Sequence, residues 1–301
     1  HSTLPDLVIQ AAIFEIVTTS VASIPVPDWV FAEFGLEYVA RSFSYDDMLF
    51  DSGPEIDFYG PGASVPDMTK LETRMWFFYL ASRYMDIGVE AIHLGQFEWM
   101  SGNDTDNSLA FDLVTRIRER AASRARRGFV LLDAHTHGMA YNGQLLLDFH
   151  SNPLLPVEVK GQPLQATLEV GFLWSIYLYS LGGTSPLGWQ TQSNPYLAEF
   201  DHGYSLGSVE QNTTPNFVWG YDEITWFSLL SEVERNAWLH YGWGWIRQTD
   251  PAGYLEMPGM RPIWVNFSDH EQDFYFANQP GPSVPTGYNQ EGTIAEIWLG
   301  N

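Results

Sequence analysis

Apolar runs and helical periodicities alternate along this chain. LVIQAAIFEIVTT (residues 7–19) is β-branched and almost continuously apolar, as a parallel strand buried on both faces should be, and it carries Glu15 near its C-terminal end. VPDWVFAEFG predicts a helix with Pro27 at its start and Gly35 at its stop, followed by a second strand in EYVARSF. In VPDMTKLETRMWFFYLASRYMDIG, Asp67 is the expected cap, and Leu71, Met75, Phe78 and Ser82 share one side at helical spacing. Gly88 marks the end of that helix. VEAIHL follows as strand three, with the polar exit GQFEWMSGND. The helix SLAFDLVTRIRERAASRARRG then feeds FVLLDAHTHG, the fourth strand.

Further strands are expected in QLLLDFHS (144–151), ATLEVGFLW (166–174), NPYLAEFDHG (194–203) and NFVWGYDEITW (216–226). Helices are expected in SEVERNAWLHYGWGWI, where Trp238, Tyr241 and Trp245 share a face, and in the terminal QEGTIAEIW. Eight strand candidates with helices between several of them predict an α/β chain. In count and length they match a single (β/α)8 barrel over residues 1–301, with long aromatic-rich loops at its C-terminal face.

Composition narrows the partners. The chain has 37 acidic against 14 basic residues, a formal charge of −23, which opposes binding to phosphate backbones and anionic lipid. Nucleic acid and membrane are therefore not expected partners. Cysteine is absent, so disulfides, thiolate metal sites and cysteine nucleophiles are excluded. The start HSTLPDLV lacks the basic and apolar regions of a signal peptide, and no stretch of about 18 apolar residues occurs. The expectation is a mature secreted or periplasmic protein whose leader has been removed. Sequons at Asn103, Asn212 and Asn266 permit glycosylation on a eukaryotic route. Aromatics make up 15% of the residues, often in polar contexts such as FEWMSGND and VWGYDEITW. Sugar C–H faces pack on such rings while hydroxyls bond neighbouring polar groups, so an oligo- or polysaccharide is the expected ligand.

Carboxylates and imidazoles recur at the expected strand exits. Gly-x-x-x-x-Gly-Lys loops, Gly-x-Ser-x-Gly elbows and dinucleotide-binding turns are missing, which leaves carboxylate chemistry. Glycoside cleavage needs one protonated carboxyl to donate to the leaving oxygen and one ionised carboxylate as nucleophile or base. GQFEW offers Glu98 beside Gln96 and Trp99, and GYDEITW offers Asp222 and Glu223 between Tyr221 and Trp226. Glu98 and Glu223 are the expected catalytic pair, with Asp133 or Asp222 as substitute for either. Glu15, Arg41, His93, Gln96, Trp99, His135, His137, Asp201, Tyr221 and Trp226 are the expected substrate contacts. No cofactor and no metal are expected.

The chain as a whole resembles the (β/α)8 glycoside hydrolases in strand order, aromatic content and acidic strand exits, and the resemblance implies paired-carboxylate hydrolysis of a glycan. It lacks the Asn-Glu of the largest retaining clan, reading Asp133-Ala134-His135 at the end of strand four, and lacks the Asp-x-x-Asp-x-Asp-x-Glu pattern of chitinase-like barrels. DAHTHG (133–138) resembles the first-strand motif of the amidohydrolase superfamily, where the two histidines bind metal. Here the motif follows three strands instead of opening the barrel. The alternatives are a metal-dependent hydrolase or isomerase with His93, Asp133, His135 and Glu169 as ligands, and a non-catalytic carbohydrate-binding barrel. An amino-terminal His1 is shared with copper-dependent polysaccharide monooxygenases, whose sandwich fold the alternating pattern does not match.

Overall fold

A computed structural model describes residues 5–176, 180–203, 205–206, 211, 216–278 and 287–300; His1 and the Asn212 sequon lie outside the described residues. The chain packs as two compact units, His1–His150 with Leu181–Asn194, and Ser151–Ser180 with Pro195–Asn301.

In the first unit three short strands, β1 (Gln10–Ala12), β2 (Ala91–His93) and β3 (Leu131–Asp133), form a parallel sheet in the order β1-β2-β3. The register sets Ala12 opposite His93 and His93 opposite Asp133, so the C-terminal ends of all three strands are level. Parallel neighbours require crossovers. The first carries α1 (Asp28–Glu33) and α2 (Leu71–Asp86), the second α3 (Phe97–Met100) and α4 (Ser108–Arg124). Met75, Phe78 and Ser82 of α2 are buried, as their spacing predicts, while Leu71, expected on the same side, is exposed at the first turn; the core continues into Leu113, Val114 and Ile117 of α4. Asp67 does not cap α2: the cap position is Lys70, and Asp67 accepts from the amide and hydroxyl of Thr69 instead. The start of α4 is served by Asp104, whose Oδ2 accepts from the amides of Leu109 and Ala110 at 2.9 and 2.8 Å.

In the second unit β4 (His150–Pro153), most of which belongs here, β5 (Tyr196–Glu199) and β6 (Gly253–Leu255) form a sheet with β5 in the middle. β5 and β6 run parallel, with Tyr196 opposite Gly253. Between them come α5 (Glu223–Leu229) and α6 (Glu232–Thr249). Asp222 caps α5 by accepting from the Thr225 amide at 2.8 Å, and Ser231 and Glu234 form a reciprocal capping box on α6. A hairpin of β7 (Arg261–Asn266) and β8 (Glu271–Tyr275), then α7 (Glu291–Leu299), complete the unit. Its core is aromatic: Trp226, Phe227, Trp238, Phe200 and Tyr275 pack ring against ring.

The expected (β/α)8 barrel is corrected by this topology. Among the described residues the strands fall into six small sheets of two to four strands with mixed directions, and no eight-stranded parallel closure exists. EYVARSF is not a strand. β1 and β2 pair directly and leave no slot between them, so Tyr38 and Val39 are exposed and Ser42 makes only an isolated bridge to Pro25. ATLEVGFLW contributes just Ala166–Thr167, paired antiparallel with Val157–Glu158. NFVWGYDEITW turns at Trp219 and Gly220, both at positive φ, and enters α5. No helix among the described residues is long and apolar enough to cross a membrane.

Candidate functional site

Each unit gathers polar side chains at strand ends, and the two clusters are built differently. In the first unit, Gly95 follows β2 at φ +55°, and a Cβ there would lie 2.2 Å from Glu15 Oε2 and 2.9 Å from the Glu15 amide. Only glycine permits that approach. It lets the Gln96 amide donate to Glu15 Oε2 at 3.0 Å, while the Tyr59 hydroxyl donates to Oε1 at 2.8 Å. Burial, followed by the bond to Glu15, raises the Tyr59 pKa, so the phenol stays a donor.

Beside Glu15, the buried carboxylate of Asp133 accepts from Gln10 Nε2 at 2.6 Å and faces His93 Nδ1 at 2.8 Å. Gln96 Nε2 meets His135 Nδ1 at 3.0 Å, and the two imidazoles stand edge to face with centroids 4.7 Å apart. Thr136 donates to Glu98 Oε2 at 2.5 Å. Trp99 donates to Glu55 and stands edge-on to Phe58, which also meets Tyr59 edge-on. The structure thus brings Glu15, His93, Gln96, Asp133 and His135 together by direct contacts, with Glu98 and Trp99 on the same α3 turn. His137 is exposed on the segment that follows. Nearby, His150 is buried, and among the described residues neither of its ring nitrogens finds a hydrogen-bond partner. Burial and the charge of His137 push its pKa down to about 4.

In the second unit the cluster surrounds a cavity of about 330 Å³. Pro153, Leu155, Leu173 and Phe217 supply apolar wall; Asp201, Asn216 and Glu223 supply polar groups. Glu223 opens α5 with 3% of its surface exposed, and its pKa is raised well above 4.5. Burial is the main cause, and the negative charges of Asp201, Asp222 and Glu199 add to it. Arg261 pairs with Glu199 and lies 3.6 Å from Asp201, so a fixed positive charge faces Asp201. Asp222 caps α5 and accepts from the Gly203 amide; its Oδ2 is 3.1 Å from His202 Nδ1, and His202 stacks on Trp264. Asp222 thus holds the first turn of α5, on which Glu223 sits.

Three expected substrate contacts have other work. Arg41 sits at no strand exit and forms a bidentate pair with Glu72 at 2.6 and 2.8 Å. Trp226 is fully buried and its indole donates to the Leu164 carbonyl, which leaves no face for a sugar. Tyr221 is 6% exposed and packs on Phe267. Glu98 and Glu223, the expected pair, lie in different units, and the carboxylate sharing the cavity with Glu223 is Asp201.

The pattern along the chain missed Tyr59, Phe58 and Glu55, which lie in the loop DSGPEIDFYGPG with no helical or strand period. The one available signal was a pair of aromatics among glycines and carboxylates. It missed Gln10 because the run around it reads as one buried apolar strand, in which a single polar residue carries no signal of its own. Searches against family models, curated proteins and solved structures find no match to this chain.

Proposed function

We propose that this protein cleaves glycosidic bonds of an oligo- or polysaccharide, with Glu223 as proton donor and Asp201 as the ionised carboxylate. The observation that carries this reading is the pair's different surroundings within one cavity: burial raises the Glu223 pKa well above 4.5, and the Arg261 guanidinium lies 3.6 Å from Asp201. A carboxyl of raised pKa beside a second carboxyl that faces a guanidinium is the arrangement glycoside cleavage needs. A Glu223 that keeps its proton above the usual carboxylate range can protonate the leaving oxygen where an ordinary glutamate would already have lost its proton. Asp201 then attacks the anomeric carbon or takes a proton from the attacking water. Phe217 and the leucines supply apolar wall for C–H faces of the sugar, and Asn216 supplies donors and an acceptor for hydroxyls.

The test is release of reducing ends from a panel of polysaccharides. E223Q keeps the shape and removes the proton, and D201N removes the charge. Each should lower turnover about 10³-fold or more, on the order of the contribution of positioned acid–base groups. Parent-like rates in both variants would discard the pair. The anomer first released, read by proton NMR, would report whether Asp201 acts as nucleophile or as base.

A further inference from the structure

The strand-end cluster of the first unit has a chemistry of its own, independent of Glu223. Glu15 is held by one donor on each carboxylate oxygen, Tyr59 on Oε1 and Gln96 on Oε2, and each oxygen can accept a second bond. A carboxylate oriented in advance loses little freedom when hydroxyls bind it.

The two imidazoles next to it are each engaged through Nδ1. Nε2 of an amide can only donate, so His135 Nδ1 accepts from Gln96. The carboxylate of Asp133 accepts, so His93 donates from Nδ1. The rings stand edge to face with centroids 4.7 Å apart and close one side of the cluster.

Aromatic rings accompany these groups. Phe14, edge-on to His93, is 55% exposed; Phe58, against Trp99, is 53% exposed; and Tyr59, bonded to Glu15, is 42% exposed. Large aromatics this open beside a preset polar cluster fit the C–H faces of a sugar. Glu15, Glu55, Glu98 and Asp133 make the cluster negative, within a chain of net charge −23. Uronates and phosphorylated sugars are repelled by that field.

We infer that the level ends of β1, β2 and β3 form a binding site for a neutral saccharide, with Glu15 bonding its hydroxyls and the Phe14, Phe58 and Tyr59 rings meeting its apolar faces. The ligand class rests on the saccharide reading above; the residues do not include Glu223 or Asp201.

The experiment is calorimetric titration of the full chain with cellotetraose, xylotetraose and mannotetraose, and with tetragalacturonate as the anionic counterpart. A neutral tetrasaccharide should bind, tetragalacturonate should bind at least tenfold more weakly, and E15Q and Y59F should each weaken the neutral ligand about tenfold, the effect of one bond to a charged group. Y59F removes a single hydroxyl and E15Q is nearly isosteric, so both test the site with the fold retained. The inference is overturned if no neutral tetrasaccharide binds, if tetragalacturonate binds as tightly, or if both variants bind like the parent. A chain that binds through Glu15 and Tyr59 but releases no reducing ends would overturn the hydrolytic reading alone. One that cleaves glycans with E15Q and Y59F affinities unchanged would overturn this inference alone.

Discussion

Replacing Glu223 by glutamine should change how stability depends on pH. In the folded chain burial and the charges of Asp201, Asp222 and Glu199 raise the Glu223 pKa well above 4.5, whereas the unfolded chain titrates it near 4.5. Below that pH the group is protonated in both states and adds no pH dependence. Above it the unfolded chain releases a proton that the folded chain keeps, so stability falls as pH rises, by up to about 1.4 kcal/mol per unit for one proton. The loss ends where the folded carboxyl itself ionises. Each pH unit inside that window is a visible share of the roughly 5–15 kcal/mol that holds a folded protein together. The amide in E223Q stays neutral throughout. Urea unfolding followed by far-UV circular dichroism from pH 4 to 8 should therefore show the parent losing stability relative to E223Q as pH rises above about 5. A flat difference would refute the assignment of a buried neutral acid. A difference of opposite slope would mean that the folded chain holds Glu223 as a carboxylate. The same raised pKa predicts that hydrolytic activity falls on the alkaline side as the proton donor is lost.

Other outcomes follow from the contacts. R41A leaves the buried Glu72 carboxylate without its bidentate partner; it should cost about 3 kcal/mol in urea unfolding while saccharide affinity stays at the parent value. W226A should cost about 3–5 kcal/mol through the cavity it opens, and W226F far less, with affinity unchanged in the folded W226F protein. G95A puts a methyl group where Glu15 lies and imposes a φ of +55° on a non-glycine residue, so it should displace Glu15 and weaken saccharide binding in calorimetry. S231A removes one half of the capping box and should lower stability by about 1 kcal/mol, with no effect on activity.

Much of the local structure was legible along the chain. Periodicity located the long helices at Leu71–Asp86, Ser108–Arg124 and Glu232–Thr249, because burying one face of a helix repeats every three to four residues in any surrounding. The apolar runs into His93 and Asp133 marked two parallel strands, and the polar residues just beyond them marked a cluster. The aromatic content suggested a sugar ligand, although Trp226, read as a platform, turned out to be core, because a tryptophan beside carboxylates looks the same in either role until its burial is known.

What the sequence determined by itself is therefore the set of elements whose signal is local: helix periods, strand runs and the groups available for acid–base chemistry, whereas the caps at Asp222 and Ser231 came from the structure. The tertiary structure decided which strands pair, and replaced one closed barrel by several small sheets. It also decided that Asp201, and not Glu98, shares a cavity with Glu223, and that Tyr59 from a patternless loop holds Glu15. Strand pairing and side-chain company depend on contacts between residues tens of positions apart, and an apolar run carries no mark of its neighbour. A carboxyl's proton affinity is likewise set by burial and by nearby charge, which exist only once the chain has folded.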